Sequence, residues 1–195
     1  MNANLGESYI WDCFVNGDQR SFEQLYHLHY QSLTDYAVKF GHDDTFIEEV
    51  VQDLFVKLWK NRASLTKPNS IRYYLVRSLR NLIYNKLQVR SKELYIGGEA
   101  ELLAFELKVN SLGAKDGLEH WDDLAKRLLA DLTDRQKEAV YLLYVEDFSY
   151  QEIADLLKIQ IGGTYKLIYR AISRIKEKTK ELEIKKNDVM LGAKI

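Results

Sequence analysis

Ten basic side chains and no acidic one lie between Lys57 and Lys92, a segment that we call the basic stretch. Its bases are Lys57, Lys60, Arg62, Lys67, Arg72, Arg77, Arg80, Lys86, Arg90 and Lys92. Cations at this density repel one another until a polyanion neutralises them, and each phosphate that they bind releases counterions. A short charge run is usually only a solvated helix face, but this one favours salt-dependent binding of nucleic acid or another polyanion.

The overall charge of −1, from 28 bases and 29 acids, hides a strong segregation along the chain. Residues 12–56 contain nine acids and two bases, and residues 93–147 contain thirteen acids and six bases. Residues 148–180 are basic again, with seven bases and three acids. Two basic blocks between acidic ones predict a chain that touches a polyanion at two places.

Residues that support catalytic, metal or redox chemistry are sparse in this sequence. The single cysteine, Cys13, lies among apolar residues, which favours a core position over a reactive thiol and is typical of a cytoplasmic protein. The four histidines lack the spacing of a metal site, and no phosphate loop or nucleophile elbow is present. We therefore expect no enzyme activity, no cofactor and no metal. No apolar run is long enough for membrane insertion, and the start resembles no signal peptide.

The composition predicts an all-α fold of two small helical domains, since the one proline is Pro68 and good helix formers dominate. In the first half, helices are predicted from apolar spacing and capping residues. The first helix spans about Ser8–Asn16 and ends at Gly17. The second begins with Ser21 as its cap and Gln24 as the capping-box partner, and it ends at Gly41. The third begins with Thr45 as its cap and Glu48 as the partner, and the fourth spans about Ser70–Val89. The segment Asn61–Asn69 is predicted to be a loop.

The third helix has the most regular pattern, with two adjacent apolar residues every four. They are Phe46, Ile47, Val50, Val51, Leu54, Phe55, Leu58 and Trp59. This pattern predicts a broad buried stripe. The fourth helix is predicted to bury Ile71, Leu75, Leu79, Leu82 and Ile83 and to carry its basic residues, together with Asn81, outward.

The second half begins after a glycine-punctuated linker with at most one weak helix, Glu99–Lys108. Thr133 is predicted to cap a helix with Gln136 as its capping-box partner. A short helix at about Ser149–Leu157, a turn and a long basic helix at about Gly162–Lys180 then form the pattern of a helix-turn-helix. Helical hairpins in bundles imitate that pattern, so it is only moderately specific. The tail from Glu183 to Ile195 shows no motif and is expected to be disordered.

Both halves resemble the extracytoplasmic-function (ECF) sigma factors of bacterial RNA polymerase, within the sigma-70 family. Val51-Gln52-Asp53-Leu54-Phe55-Val56-Lys57-Leu58-Trp59 is similar to a helix of their region 2, and Ser70 to Asn81 is similar to the next one. Leu132 to Gln136, Tyr150 to Ala154 and Tyr169-Arg170-Ala171 are similar to region 4. The resemblance implies region 2 at 8–92, a flexible linker at 93–119, region 4 at 120–182 and a tail at 183–195.

The resemblance also implies functional residues and partners. Region 2 would dock on core RNA polymerase through Glu48, Glu49, Gln52 and Asp53. It would open the −10 element of promoter DNA and hold flipped bases through Arg62, Lys67, Asn69, Arg72, Tyr73, Arg77, Arg80 and Asn81. Region 4 would read the −35 element as duplex through Thr164, Tyr165, Lys166, Tyr169, Arg170 and Arg174. Relatives are commonly held inactive by an anti-sigma factor, so one is an expected partner. Of the aromatics in the basic stretch, Trp59 and Tyr74 are expected in the core.

The sequence departs from its relatives at three places. The acid that many relatives have at Phe46 lies slightly earlier here, in Asp43 and Asp44. Lys158 stands where glycine is usual in the turn, so it must adopt a positive φ. Equal-length alignment on Tyr169-Arg170-Ala171 starts the recognition helix at Gly162-Gly163, which removes a lysine that relatives use. We therefore expect a −35 preference that differs from theirs and weaker binding by region 4.

Two other classes of protein remain possible from the sequence. One is a one-component regulator whose first half senses a ligand, but such a domain has no need of the basic stretch. The other is an enzyme, for which no catalytic pattern was found. A sigma factor that directs polymerase to promoters is the favoured prediction.

Overall fold

The computed structural model describes the backbone of residues 3–93, 105 and 118–192, and side chains over 6–89, 105 and 124–182. All regular structure in these ranges is helical, which confirms the predicted all-α class. The helices are α1 Ala3–Val15, α2 Gln19–Val38, α3 Asp44–Asn61, a 3₁₀ turn Arg62–Ser64, α4 Ile71–Glu93, α5 Leu118–Leu129, α6 Asp134–Tyr144, α7 Tyr150–Leu157 and α8 Ile161–Gly192. The chain divides into two compact units, Met1–Ala104 and Phe105–Ile195.

Carboxylates, not hydroxyls, cap two helices of the first unit, so the predicted caps Ser21 and Thr45 are wrong. The Asp18 carboxylate accepts a hydrogen bond from the Ser21 backbone N–H at 2.8 Å, and the Asp43 carboxylate accepts one from Phe46 N–H at 2.9 Å. The hydrogen bonds from Ser21 hold the pKa of Asp18 below its ordinary value. Each aspartate comes earlier in the chain than the hydroxyl, and its negative charge also suits a helix N-terminus.

The core of the first unit is formed by α1, α2, α3 and α4. Seven of the eight apolar residues predicted for α3 are buried, while Trp59 is only half-buried. In α4 the predicted core residues are also buried except Leu82, which is half-exposed. Trp11 from α1 is fully buried and packs edge-on against Phe14 and Tyr74, with centroids 5.4 and 5.6 Å away. α2 packs against α1, α3 and α4, and α3 also packs against α4, so the buried stripe of α3 contributes to a four-helix core.

Capping boxes begin two helices of the second unit, as the sequence predicts for α6. The Thr133 hydroxyl accepts from Gln136 N–H while the Gln136 side chain accepts from Thr133 N–H. Ser149 and Glu152 make the same reciprocal pair at the start of α7. Helices α7 and α8 pack against each other. Their buried residues include Ile153 and Leu157 of α7 and Ile168 and Ala171 of α8. The short helix, turn and long helix of the prediction are therefore present.

Lys158 occupies the left-handed region, with φ of 53°, as predicted for the turn between α7 and α8. We expect Lys158→Gly to raise the free energy of unfolding of this unit by about 1 kcal/mol, because only a residue with a Cβ is strained there. The matched variant Lys158→Ala also loses the side chain but keeps the Cβ, so it should gain nothing. Hydrogen exchange of the α7 amides measures the difference, and equal protection in the two variants would contradict the strain.

The last helix is longer than the sequence predicts. α8 continues from Ile161 to Gly192, so the predicted disorder of the tail is wrong over 183–192, and 193–195 lie outside the described residues. The weak helix expected at Glu99–Lys108 also lies outside them, apart from Phe105. That residue is buried and packs edge-on against Tyr141, with centroids 5.9 Å apart. Among the described helices, none is both long and apolar enough to cross a membrane.

Candidate nucleic-acid interfaces

The basic stretch divides by burial into residues that face solvent and residues that support the fold. Of the residues predicted to contact the −10 element, five are exposed or half-exposed on α4 and the preceding loop, so their positions are compatible with the prediction. They are Lys67, Asn69, Arg72, Arg77 and Asn81. Two others, Arg80 and Tyr73, do not lie where the prediction places them.

Arg80 is buried rather than exposed, which corrects its predicted outward position on α4. Only 7% of the residue is accessible, and its guanidinium carbon lies 5.9 Å from the centroid of the Tyr84 ring. The helical repeat explains the position, since Val76, Ile83 and Leu87 are buried at helical spacings of three to four residues on the same side of α4. Arg77, three residues earlier, is exposed. The two arginines therefore have different roles in the molecule.

Tyr73 also faces the protein more than the prediction allows. The residue is half-buried, and its hydroxyl oxygen is buried. Its backbone N–H donates to the Ser70 hydroxyl at 3.1 Å, which begins α4. Tyr73 is therefore only partly accessible, and its predicted contact with DNA stays a prediction.

A cavity of about 240 Å³ opens where α3, α4 and the loop between them meet. Its lining combines apolar side chains with amide, hydroxyl and amine groups. The lining residues are Leu54, Lys57, Leu58, Asn61, Leu65, Tyr74, Ser78, Asn81, Leu82 and Asn85. Of the predicted −10 residues, Asn81 alone is among them. Sequence reasoning missed Ser78 and Asn85, although 74, 78, 81 and 85 follow a helical spacing that could have revealed one polar line.

Two cations of the loop are engaged within the domain. Arg62 donates from Nη1 to the Trp59 carbonyl at 2.8 Å, and its guanidinium lies 4.2 Å from the centroid of the Trp59 ring. Lys67 Nζ lies 2.6 Å from Asp12 Oδ2 in an exposed ion pair between the loop and α1. Exposed pairs contribute about 0–1 kcal/mol, so a phosphate can replace Asp12 at little cost. Lys67 thus remains available to DNA, while Arg62 is held against Trp59.

The acidic face predicted to dock on polymerase is present on α3. Glu48, Glu49 and Gln52 are exposed and Asp53 is half-exposed. Lys86 of α4 lies 2.7 Å from the Glu49 carboxylate and 2.8 Å from the Asp53 carboxylate. Burial alone lowers the pKa of Lys86, but the hydrogen bonds that its ammonium group donates to the Asp53 and Glu49 carboxylates raise this pKa above its ordinary value. Lys86, expected among the outward bases of α4, is therefore tied to this acidic face.

In the second unit, four of the predicted −35 residues form one exposed stripe on α8. They are Tyr165, Lys166, Tyr169 and Arg170. Thr164 is fully buried, at 0% exposure, which corrects its predicted contact with DNA. Residues 164, 168 and 171 are spaced by four and three, so Thr164 shares the inward side with Ile168 and Ala171.

Arg174 is exposed but makes hydrogen bonds within the protein. Its Nη1 donates to the Asp131 carbonyl at 3.0 Å and to Gln136 Oε1 at 2.9 Å, beside the capping box of α6. Lys178, one turn further on, pairs with the Asp131 carboxylate at 3.1 Å. These contacts fasten α8 to the start of α6. Arg174 therefore makes a structural contact, and its predicted reading of DNA stays a prediction.

A basic helical surface followed by a helix-turn-helix unit with an exposed recognition stripe defines a DNA-binding transcription factor. Two family models match the chain, "Sigma-70 region 2" over residues 25–93 and "Sigma-70, region 4" over residues 123–175. The chain therefore belongs to the sigma-70 family, as an ECF sigma factor. It acts in promoter-specific transcription initiation with core RNA polymerase and promoter DNA, and sigma factors are non-catalytic initiation factors.

Individual relatives span nearly the whole chain. RNA polymerase sigma factor CnrH of Cupriavidus metallidurans is 26% identical, over 90% of this chain and 95% of that protein. ECF RNA polymerase sigma factor SigW of Bacillus subtilis is 21% identical, over 85% and 92%. The solved structure of sigma factor RpoE with anti-sigma factor NepR, from Bartonella quintana, is similar with a TM-score of 0.60 and 25% identity, over 83% of this chain and 98% of that one.

Proposed function

We propose that the first unit opens the −10 element and holds one flipped base in the cavity between α3 and α4. The second unit then reads the −35 element as duplex through the exposed stripe of α8. The observation that carries the proposal is the cavity itself, whose lining combines apolar and polar side chains and, apart from Leu54, belongs to the acid-free basic stretch.

The cavity has the size and chemistry for a nucleobase. A cavity of roughly 150 Å³ can hold benzene, so about 240 Å³ leaves room for a single base. The amides of Asn61, Asn81 and Asn85 can each donate and accept hydrogen bonds to base edges. Exposed Lys57 on its rim can neutralise the adjoining phosphate. These groups suit capture of a base that has left its stack.

The exposed stripe of α8 supports reading of duplex DNA. Lys166 and Arg170 are separated by one helical turn, so both can reach phosphates or guanine edges in a major groove. The start of α8 is exposed at Gly162 and Gly163, and this allows the backbone to approach DNA closely. The stripe contains only two cations, which supports the expectation of weak −35 binding.

Docking on polymerase is assigned to Glu48, Glu49, Gln52 and Asp53. Glu48 and Gln52, like Glu49 and Asp53, are four residues apart and form two adjacent rows on α3. The neighbouring Val56 is an apolar residue that is about half exposed, and it extends the same surface. An exposed acidic face with an apolar edge suits a partner helix that carries basic residues.

Regulation by an anti-sigma factor is also proposed for this chain. The similar RpoE structure was solved in complex with the anti-sigma factor NepR, and the structure of CnrH, which shares the fold, in complex with the cytosolic domain of CnrY. We expect such a partner to compete with core polymerase for the sigma factor.

Run-off transcription with core RNA polymerase and a library of promoters tests the proposal. We expect core polymerase alone to ignore the library, and the reconstituted holoenzyme to start at a defined set of sites with protected −10 and −35 elements. A chain that binds no core and directs no start site would overturn the proposal. Start sites without protection at −35 would remove only the role of α8.

A further inference from the structure

Half of the recognition stripe of α8 is aromatic, and this restricts the bases that it can read. Tyr165 and Tyr169 alternate with Lys166 and Arg170, and Tyr169 is 73% exposed while Tyr165 is 53% exposed. Two exposed rings one helical turn apart form a contiguous patch of the kind that marks an interaction surface. A neighbouring recess of about 460 Å³ has Ile168 and Ile172 among its lining residues, so an apolar group can be desolvated beside the rings.

The ring of Tyr165 is held in a fixed orientation. It stacks on the ring of Tyr150, the first residue of α7, with centroids 4.3 Å apart and planes 18° from parallel. A ring that is already ordered loses little rotamer freedom when it binds. Tyr165 is therefore a preorganised contact.

Two glycines separate Tyr165 from the exposed Ile161 at the start of α8, so Tyr165 is the first exposed ring of this helix. A Cβ added at Gly162 would meet no heavy atom within 4 Å, and one at Gly163 would meet only Ile159 Cβ at 3.9 Å. The backbone at these two positions is therefore open, and neither glycine has a side chain that could read a base. The next exposed position is Tyr165.

A phenol ring in a major groove recognises different groups from an arginine or lysine. Cations select the O6 and N7 acceptors of guanine, whereas apolar side chains contact the C5-methyl group of thymine. That methyl is the apolar group that base pairs present in the major groove, and a ring flanked by an apolar recess matches it.

We propose that Tyr165 is a specificity-determining residue which reads the C5-methyl group of a thymine in the −35 element. The inference rests on the proposed reading of −35 by α8 and adds the chemical group that is read. Tyr169, one turn further on, extends the apolar contact, while Lys166 and Arg170 hold the backbone.

Replacement of thymine by uracil tests the contact, because it removes the methyl and leaves base pairing unchanged. The preferred −35 element is first selected with holoenzyme containing the full chain, and each of its thymines is then changed to uracil. For one thymine at least we expect affinity to fall about fourfold, the effect of burying one methyl-sized group. Tyr165→Ala should bind more weakly and be indifferent to that change.

Two further variants keep the test decisive. Tyr165→Phe retains the ring and should discriminate thymine from uracil like the wild type. Tyr9→Ala, which removes a highly exposed tyrosine from α1, should also discriminate like the wild type. The inference is overturned if the selected element tolerates uracil at every thymine, or if Tyr165→Ala still discriminates; in both cases −35 reading stands. Absence of any −35 preference would instead overturn that reading and the inference together.

Discussion

Replacing Asn81 and Asn85 together with alanine is expected to slow promoter opening about a hundredfold. Each substitution removes an amide and with it about one hydrogen bond to the flipped base, worth about 1–1.5 kcal/mol. Because about 1.4 kcal/mol corresponds to a factor of ten, the two substitutions together give about a hundredfold. Both side chains line the cavity and both are exposed, so no buried contact is lost. A fluorescent base analogue at the −10 position measures opening in the reconstituted holoenzyme.

The stability of the variant separates this effect from misfolding. Alanine is a better helix former than asparagine, so the double variant should be at least as stable as the wild type. Gln24→Ala, which removes an exposed amide from α2, serves as the matched control and should open promoters normally. Core binding should be unchanged in both. Normal opening by the double variant would exclude the cavity as the site of the flipped base.

The sequence predicted the helices well because their signals are local. The stripe of α3 and the capping box of Thr133 and Gln136 each depend on residues within a few positions of one another. The caps of α2 and α3 were missed for an equally local reason. Asp18 and Asp43 precede the hydroxyls that were chosen, and only the geometry shows which oxygen accepts the first free N–H.

The functional surfaces were predicted less completely because they depend on packing between distant segments. The cavity exists only where α3, the loop and α4 meet, so the helical spacing of 74, 78, 81 and 85 can indicate a polar line but not that Asn85 faces a cavity. The partners of Arg174 are Asp131 and Gln136, about forty positions away in the sequence. Thr164 shows a further limit, since a threonine is equally compatible with either side of a helix. The resemblance to the family supplied the roles, and the structure reassigned individual residues.

Arg80→Ala is expected to lower the free energy of unfolding of the first unit by about 2–4 kcal/mol. The side chain is buried beside the core residues of α4, so its removal leaves a cavity and unpaired surroundings. Arg77→Ala is the matched control, because it removes the same side chain from an exposed position three residues earlier. Its effect on stability should remain within about 0.5 kcal/mol. Hydrogen exchange of the α4 amides measures both.

Promoter binding should respond in the opposite way to stability, with a change in Arg77→Ala and none in Arg80→Ala. Arg77→Ala is expected to reduce the salt dependence of promoter binding by about one phosphate contact, because it lies on the open side of the basic stretch. Arg80→Ala measured below its unfolding temperature should keep the wild-type salt dependence. A double variant would mix lost folding with lost contacts, so only the single variants distinguish the two roles. Wild-type stability with reduced salt dependence in Arg80→Ala would show that this arginine turns outward to DNA, and the inward side of α4 would then need reassignment.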